Sequence, residues 1–413
     1  MVKDMKSYSD VLIVGSGHGG AQAAIVLRQR GFSGTIRIVT EEQEFPYERP
    51  PLSKEYLSQE RSFDRMLIRS ENFWAEKEVN FNFGHSIERI DPENRIAYDA
   101  SGHMWLYGQM IWAAGGHARR LSCDGSNVAG LHTIRTRKDI DKLESELADA
   151  SRVVIIGGGF IGLETAAILS KFGKKVTVIE AQDRVLARVA AKPISNFFEE
   201  KHRAHGVNFR LQAAVAEIEG RAGRVIGVRL EDDSTIPADI VIVGIGLEPS
   251  VTPLLQAGAL GGNGVEVDEF CRTSLPNIYA IGDCAAHINN FGDGRKLRLE
   301  SVQNAADQAI TAALHILGQP QPYVSVPWFW SNQFEHRLQT VGLNIGYDSE
   351  VLRGDPFTGS FSIVYLRGGK VAALDCVNAI SDYAQGKLLV QRNVEISPKL
   401  LADPKHKLKS FLL

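Results

Sequence analysis

At 413 residues the chain exceeds one ordinary hydrophobic core, so two or three domains are expected. Hydrophobic residues make up 44% and charged residues 23%, a globular balance that excludes collagen-like and wholly disordered classes. A net charge of −3 gives no global attraction to nucleic acid or an anionic membrane, and no apolar run approaches the length of a membrane span. Residues 1–7 carry no apolar core, so no signal peptide is expected and the cytoplasm is the expected compartment.

In chain order, residues 10–41 read as the start of a βαβ unit. The run 11–20 (VLIVGSGHGG) is a buried strand feeding G-x-G-x-x-G, followed by an Ala-rich helix and a second apolar strand ending at Glu41. Residues 42–70 hold prolines and charges with little periodicity, a loop with a short helix. Residues 79–115 alternate as short antiparallel strands, including 80–83 and 95–98. Residues 137–149 are an amphipathic helix.

The same glycine pattern then returns about 140 residues later. The run 153–162 (VVIIGGGFIG) feeds another apolar helix, and its following strand ends at Glu180. Residues 194–205 read as a helix and 207–246 as a meander of strands ending in an apolar run at Gly246. Residues 265–283 hold short strands and a Gly282-Asp283 turn, and 300–317 an Ala-rich helix. From Pro327 onward the pattern is alternating strands with a charged tail.

In each glycine motif the first glycine (Gly15, Gly157) allows the tight turn off the strand. The second (Gly17, Gly159) lets backbone approach a pyrophosphate, and the third (Gly20, Gly162) lets helix and strand pack closely. An acid about twenty residues on can hold ribose hydroxyls, which Glu41 and Glu180 are placed to do. Glu42 is adjacent to Glu41 and competes for that role. One copy implies one dinucleotide; two copies imply two, with electrons moving between them. Glu180 repels a 2′-phosphate, so NADH is expected over NADPH, although Arg184 stands nearby.

The four cysteines are scattered and form no C-x-x-C or C-x-x-x-x-C, so an internal thiol relay is not expected, nor zinc or iron–sulfur ligation. His202 and His205 form a formal metal pair with no third ligand at a useful spacing, and are expected as a solvated helix end.

With these motifs in order, the chain resembles the FAD-dependent, NADH-oxidising ferredoxin reductases of bacterial Rieske oxygenase and cytochrome P450 systems. The resemblance rests on 47–54 (YERPPLSK), 157–164 (GGGFIGLE), 279–285 (YAIGDCA), 298–305 (RLESVQNA) and 327–331 (PWFWS). It implies an α/β fold with two Rossmann-like dinucleotide-binding domains of glutathione-reductase type plus a C-terminal α+β domain. The implied division is 1–114 with 247–326 for FAD, 115–246 for NAD, and 327–413 at the C-terminus. The implied activity takes a hydride from NADH onto non-covalent FAD and passes electrons singly to a 2Fe–2S ferredoxin. Monomer or dimer is left open. The competing readings are a redox-sensing or scaffold flavoprotein related to apoptosis-inducing factor, and an NADH oxidase.

By that resemblance, Gly15, Gly17, His18, Gly19, Gly20, Glu41, Arg49, Ile87 (through its backbone), Arg135, Gly282, Asp283, Ser301 and Val302 hold FAD. Gly157, Gly159, Phe160, Ile161, Gly162, Glu180 and Gly246 hold the pyridine nucleotide. Lys54 lies near the flavin N5, paired with Glu164, and Trp330 (or Trp328) stacks near the flavin. The chain departs from the family at 113–119 (AAGGHAR), where Ala114, His117 and Ala118 replace Thr, Arg and Pro. His117, Arg119 or Arg135 then substitutes for the family arginine. Arg295, Lys296, Arg298 and Lys387 are candidate docking residues for an acidic ferredoxin.

Overall fold

A computed structural model describes residues 8–412; the leader reading of residues 1–7 lies outside the described residues. The chain separates into two compact units. The first takes in the described residues up to Glu48, with Phe63–His117 and Glu248–Pro327. The second takes in Arg49–Ser62, Ala118–Leu247 and the chain from Trp328 onward.

The first unit is built on a mixed sheet with strands in the order Val79–Phe83, Ile36–Thr40, Tyr8–Val14, Met104–Trp112, Ile96–Asp99 and Ile87–Asp91. Ile278–Ala280 pairs with Met104–Trp112 from the far side of the chain. Tyr8–Val14 is central and parallel to both neighbours, with Ile13 opposite Ile38 and Ile111. A central parallel strand is buried on both faces, which is why its sequence is a continuous apolar run. The helices His18–Gln29 and Val302–Ile316 cover one face, meeting through Ala21, Ala24, Ala309, Ala312 and Ala313. The expectation of an antiparallel strand at 80–83 is corrected: it runs parallel to Ile36–Thr40. Alternation reports a strand with two unlike faces but not the direction of its partner.

The second unit contains a parallel sheet in the order Asn208–Leu211, Lys175–Glu180, Arg152–Ile156, Ile240–Val243, Leu131–Thr133. The expected meander over 207–246 holds only in its middle. Val215–Arg221, Arg224–Leu230 and Thr235–Pro237 form the antiparallel piece, while the flanking strands join the parallel sheet. A five-stranded antiparallel sheet follows, in the order Trp328–Gln333, His336–Gly342, Lys370–Val377, Ser360–Arg367, Ser349–Asp355. Residues Ile380–Arg392 form a helix, and its Gly386 lies so close to Leu374 that a Cβ there would meet the leucine Cδ2 at 2.7 Å.

His202 is not a solvated helix end. It is fully buried, with Nδ1 2.8 Å from the Phe198 carbonyl and Nε2 3.0 Å from the Leu163 carbonyl. His205 stacks on Phe334, with centroids 3.8 Å apart. The Lys192–Ala204 helix lays an apolar face on the sheet, and position 202 shares that face with Ile194 and Phe198 at helical spacing. Among the described residues no helix is long and apolar enough to cross a membrane.

Asp375 sits inside the antiparallel sheet at 3% exposure, and burial pushes its carboxyl up to about 7. A carboxyl whose folded pKa is raised contributes stability below its unfolded pKa and loses it as pH rises through the folded value. Wild-type melting temperature is therefore expected to carry a component that falls between about pH 4 and 7. Thermal melts of Asp375→Asn should lack that component, gaining relative to wild type at pH 8 over pH 5.

Candidate functional site

The two glycine turns have matching geometry. Gly15 and Gly157 leave their strands at φ +101° and +111°. A Cβ on Gly20 would run into the carbonyl oxygen of Gly15, and one on Gly162 into that of Gly157. Both helices, His18–Gln29 and Phe160–Lys171, begin at a glycine with no side-chain cap. The helices at Glu71, Arg137 and Val302 instead carry Ser70, Thr136 and Ser301 as capping acceptors. Uncapped first-turn N–H groups and the positive helix end make each glycine start a receptor for phosphate oxygens. At Gly159 a Cβ would meet nothing within 4 Å, so the turn presents open backbone.

Each turn has its acid. Glu180 ends its strand, and its carboxylate accepts from Gly158 N–H at 2.7 Å and Gln182 N–H at 2.9 Å. It is held beside the glycine loop with lone pairs to spare for ribose hydroxyls. Arg184 folds back on its own loop, donating to the Ala190 and Ala187 carbonyls and to Ser195 Oγ. In the first unit Glu41 follows the strand end at 48% exposure, 3.7 Å from His117 Nδ1. Glu42, its sequence competitor, accepts from the Tyr47 hydroxyl at 2.5 Å and so has a structural task. His117, standing where the family has arginine, thus faces Glu41.

Further along the first unit, Gly282 turns at φ +76° and its N–H donates to Gln308 Oε1 at 2.7 Å, tying the Gly282-Asp283 turn to the Val302–Ile316 helix. The Asp283 carbonyl accepts from Arg298. Ser301 caps that helix through Asn304 N–H, and Tyr323 donates to Asn304 Oδ1. His287 lies between Gln308 and Asn289, and burial lowers its pKa to about 4, so it stays neutral at physiological pH. The Ile87 side chain is core, at 5% exposure.

The second unit centres on a buried carboxylate. Glu164, 3% exposed, accepts from Lys54 Nζ at 2.5 Å, Ser53 Oγ at 2.6 Å and Ser331 Oγ at 2.6 Å. Gln333 extends the set, donating to Ser331 Oγ at 3.2 Å. Helix and strand periods explain the meeting. Phe160 and Glu164 are one helical turn apart, and Phe329 and Ser331 lie on one face of their strand. Phe160 packs on Phe329 with centroids 4.7 Å apart, as Glu164 meets Ser331. Trp328 and Trp330 occupy the other face, 5.4 Å apart. Lys54 reaches Glu164 because Pro50 and Pro51 fix a short 3₁₀ turn that ends at Ser53. Sequence reasoning found Lys54 and Glu164 but missed Ser53 and Ser331. The alternation Phe329-Trp330-Ser331 was the available signal.

Arg49 donates to the Arg135 carbonyl at 2.7 Å, bringing the two arginine segments together, and the Arg135 N–H is held by Asp139 in a capping box with Thr136. Arg119 donates through Nε to the Leu247 carbonyl, and its N–H to Gly246. Ile161 is 46% exposed at the second glycine turn, an apolar side chain presented outward. All four cysteines are free. Burial raises the pKa of each, Cys284 to about 12.

This architecture is that of a two-nucleotide flavoprotein. Residues 9–309 match the pyridine nucleotide-disulphide oxidoreductase family and 328–412 the reductase C-terminal family. The chain is 55% identical over 407 residues to a ferredoxin–NAD(P)(+) reductase of Sphingomonas sp., covering 98% of each chain. It is 57% identical over 403 residues to the 5,5′-dehydrodivanillate O-demethylase ferredoxin reductase subunit of a Sphingobium strain, covering 97% of this chain and 98% of that one. The crystal structure of the ferredoxin reductase for the CYP199A2 system of Rhodopseudomonas palustris superposes with a TM-score of 0.94 at 37% identity, covering 98% and 99%. The chain belongs to the pyridine nucleotide-disulphide oxidoreductases, among their ferredoxin reductases. It is an oxidoreductase that uses FAD and a pyridine nucleotide. The first unit fits FAD: its helix start at Gly17 is uncapped, Glu41 is exposed, and the helix at Val302 begins beside the Gly282 turn.

Removing Lys54 leaves a buried carboxylate with only hydroxyl donors. Lys54→Met is expected to lower stability by about 3 kcal/mol and the rate of reduction by pyridine nucleotide about tenfold or more. Adding Glu164→Gln should recover the melting temperature but not the rate, which stopped-flow absorbance and thermal melts together check.

Proposed function

We propose that the chain takes a hydride from NADH onto FAD and passes the electrons singly to a 2Fe–2S ferredoxin serving a Rieske oxygenase or a cytochrome P450, in the cytoplasm. The observation that carries the reading is the duplicated glycine turn, each copy uncapped and each followed by its acid, in a chain whose thiols are all buried or half-buried. When bound, FAD supplies a two-electron acceptor that gives up electrons one at a time.

The chain's own residues supply binding and electrostatics. Gly15, Gly17, His18, Gly19 and Gly20 receive the FAD pyrophosphate, Glu41 its ribose, and Arg49 and Arg135 its negative charge. Ile87 meets the adenine by backbone. Gly282, Asp283, Ser301 and Val302 hold the rest, the helix start at Val302 favouring charge that develops on reduction. Gly157, Gly159, Phe160, Ile161, Gly162 and Gly246 receive NADH, with Glu180 on its ribose. Lys54 and Glu164 keep a fixed ion pair at the hydride-transfer face, and Trp330 shapes the electron exit. The two relatives named above as ferredoxin reductases support the choice of acceptor.

Anaerobic NADH should bleach the flavin absorbance, and cytochrome c reduction should depend on added ferredoxin. NADH consumption by oxygen at an equal rate without ferredoxin would instead establish an oxidase.

Glu180 carries the nucleotide preference. With Arg184 engaged by loop carbonyls, kcat/KM for NADH should exceed that for NADPH about 100-fold, equivalent to about 2.7 kcal/mol. Glu180→Gln keeps the acceptor for Gly158 but loses the charge, and steady-state kinetics should show the ratio falling about tenfold.

For docking, Arg298 is tied to Glu300 and Lys296 to Glu266 at 2.6 Å, whereas Arg295 and Lys387 are exposed. Arg295 shares a hairpin with Ile288, 67% exposed. Arg295→Glu with Lys387→Glu is expected to raise the KM for ferredoxin several-fold and flatten its salt dependence. NADH–ferricyanide turnover should be unchanged; equal loss of both activities would reject these residues as the docking site.

A further inference from the structure

The loop 181–191 leaves Glu180 and ends at the helix Lys192–Ala204. It is closely tied to the second glycine turn: Leu186 N–H donates to the Gly158 carbonyl at 3.0 Å. Leu186 adopts φ +55°, a conformation that a branched side chain holds only when its surroundings impose it. From within, Arg184 bonds the Ala187 and Ala190 carbonyls, and Ser195 Oγ donates to Val185 O at 2.6 Å. These bonds close the loop on itself but leave its exit at Ala191 unaccounted for.

Ala191 is the N-cap of its helix and has no side chain to cap with. Its buried N–H donates instead to Tyr365 Oη at 3.0 Å, from the antiparallel sheet at the end of the chain. Tyr365 donates in turn to Asp375 Oδ2 at 2.5 Å. Asn344 adds a second pin, donating to the Val189 carbonyl at 3.1 Å. Tyr365 and Asp375 are both buried, at 0% and 3% exposure, on neighbouring strands Ser360–Arg367 and Lys370–Val377. A carboxyl and a phenol inside a sheet core are poor substitutes for apolar residues of similar size. Their arrangement has a directional use. With its proton committed to Asp375, the phenol turns a lone pair toward Ala191 N–H.

We infer that Tyr365 and Asp375 are positioning residues for the pyridine nucleotide, holding the 181–191 loop so that Glu180 and the Gly158 turn keep their binding geometry. This rests on the reading that the second glycine turn takes NADH. The C-terminal sheet then tunes affinity for the electron donor without touching it.

The test is Tyr365→Phe in the FAD-loaded protein, which keeps the ring and removes the acceptor. Hydrogen–deuterium exchange in peptides spanning 181–195 should speed up about fivefold, and the KM for NADH should rise by a similar factor, the loss of one buried hydrogen bond. Saturated kcat should stay within about twofold. Asp375→Asn alone, with Tyr365 intact, has an amide oxygen that still accepts the phenol proton and should keep KM close to wild type. A merely structural role would lower the melting temperature and FAD content without this split between KM and kcat. Unchanged exchange, or faster exchange with unchanged KM, overturns the inference. Should Tyr365→Phe lose its FAD, Asn344→Ala cuts the second pin from the exposed side and must raise KM in the same direction, or the inference fails. If Glu180→Gln leaves the NADH to NADPH ratio untouched, the underlying reading of the nucleotide site fails instead.

Discussion

The structure depends on a close approach that only glycine allows. In each nucleotide unit the third glycine of the motif lies against the carbonyl of the first, with no room for a Cβ. That contact brings the helix axis down onto its strand and points the helix start along the strand's carboxyl end. Everything distal inherits this placement. The helix starts are uncapped, the acid at the end of the next strand arrives beside the turn, and the apolar face of each helix closes on a sheet whose central strands are parallel and buried. The same contact occurs twice with nearly the same angles, so one chain carries two copies of a receptor for a dinucleotide.

Around the second receptor, charge decides what is possible. Glu164 stands one helical turn from Phe160 in a helix otherwise apolar on that face, and an unpaired carboxylate there would cost several kcal/mol. Lys54, Ser53 and Ser331 remove that cost with donors drawn from a proline-fixed turn and from a distant strand. A charge compensated this way is fixed in position. It also ties the antiparallel sheet at the end of the chain to this carboxylate, through Ser331. The thiols take the opposite course: burial in apolar surroundings keeps them protonated.

Much of this was legible in the sequence because its causes are local. Glycine spacing, the apolar strand before it and the acid after it are set within some thirty residues, and Glu180 stands where that spacing placed it. Glu164 was legible as a charge in an apolar helix that needs a partner. What escaped were facts fixed by pairing at long range. Alternation at 80–83 could not say that the neighbour runs parallel, and the strands at 208–211 and 240–243 read as a meander until their true partners were known. His202 looked like surface because it stands among charges, yet helical phase carries it inward to the carbonyls of Phe198 and Leu163. Tyr365 and Asp375 gave no signal, since an alternating strand hides which of its inward residues is polar for a reason.

The most direct measurement compares Gly20→Ala with Gly162→Ala, each purified and examined for flavin absorbance and for reduction by NADH. Two independent receptors require the first variant to lose FAD, and the second to keep it while becoming resistant to NADH. A Gly162→Ala protein that remains yellow and is still bleached by NADH at the wild-type concentration would contradict the account.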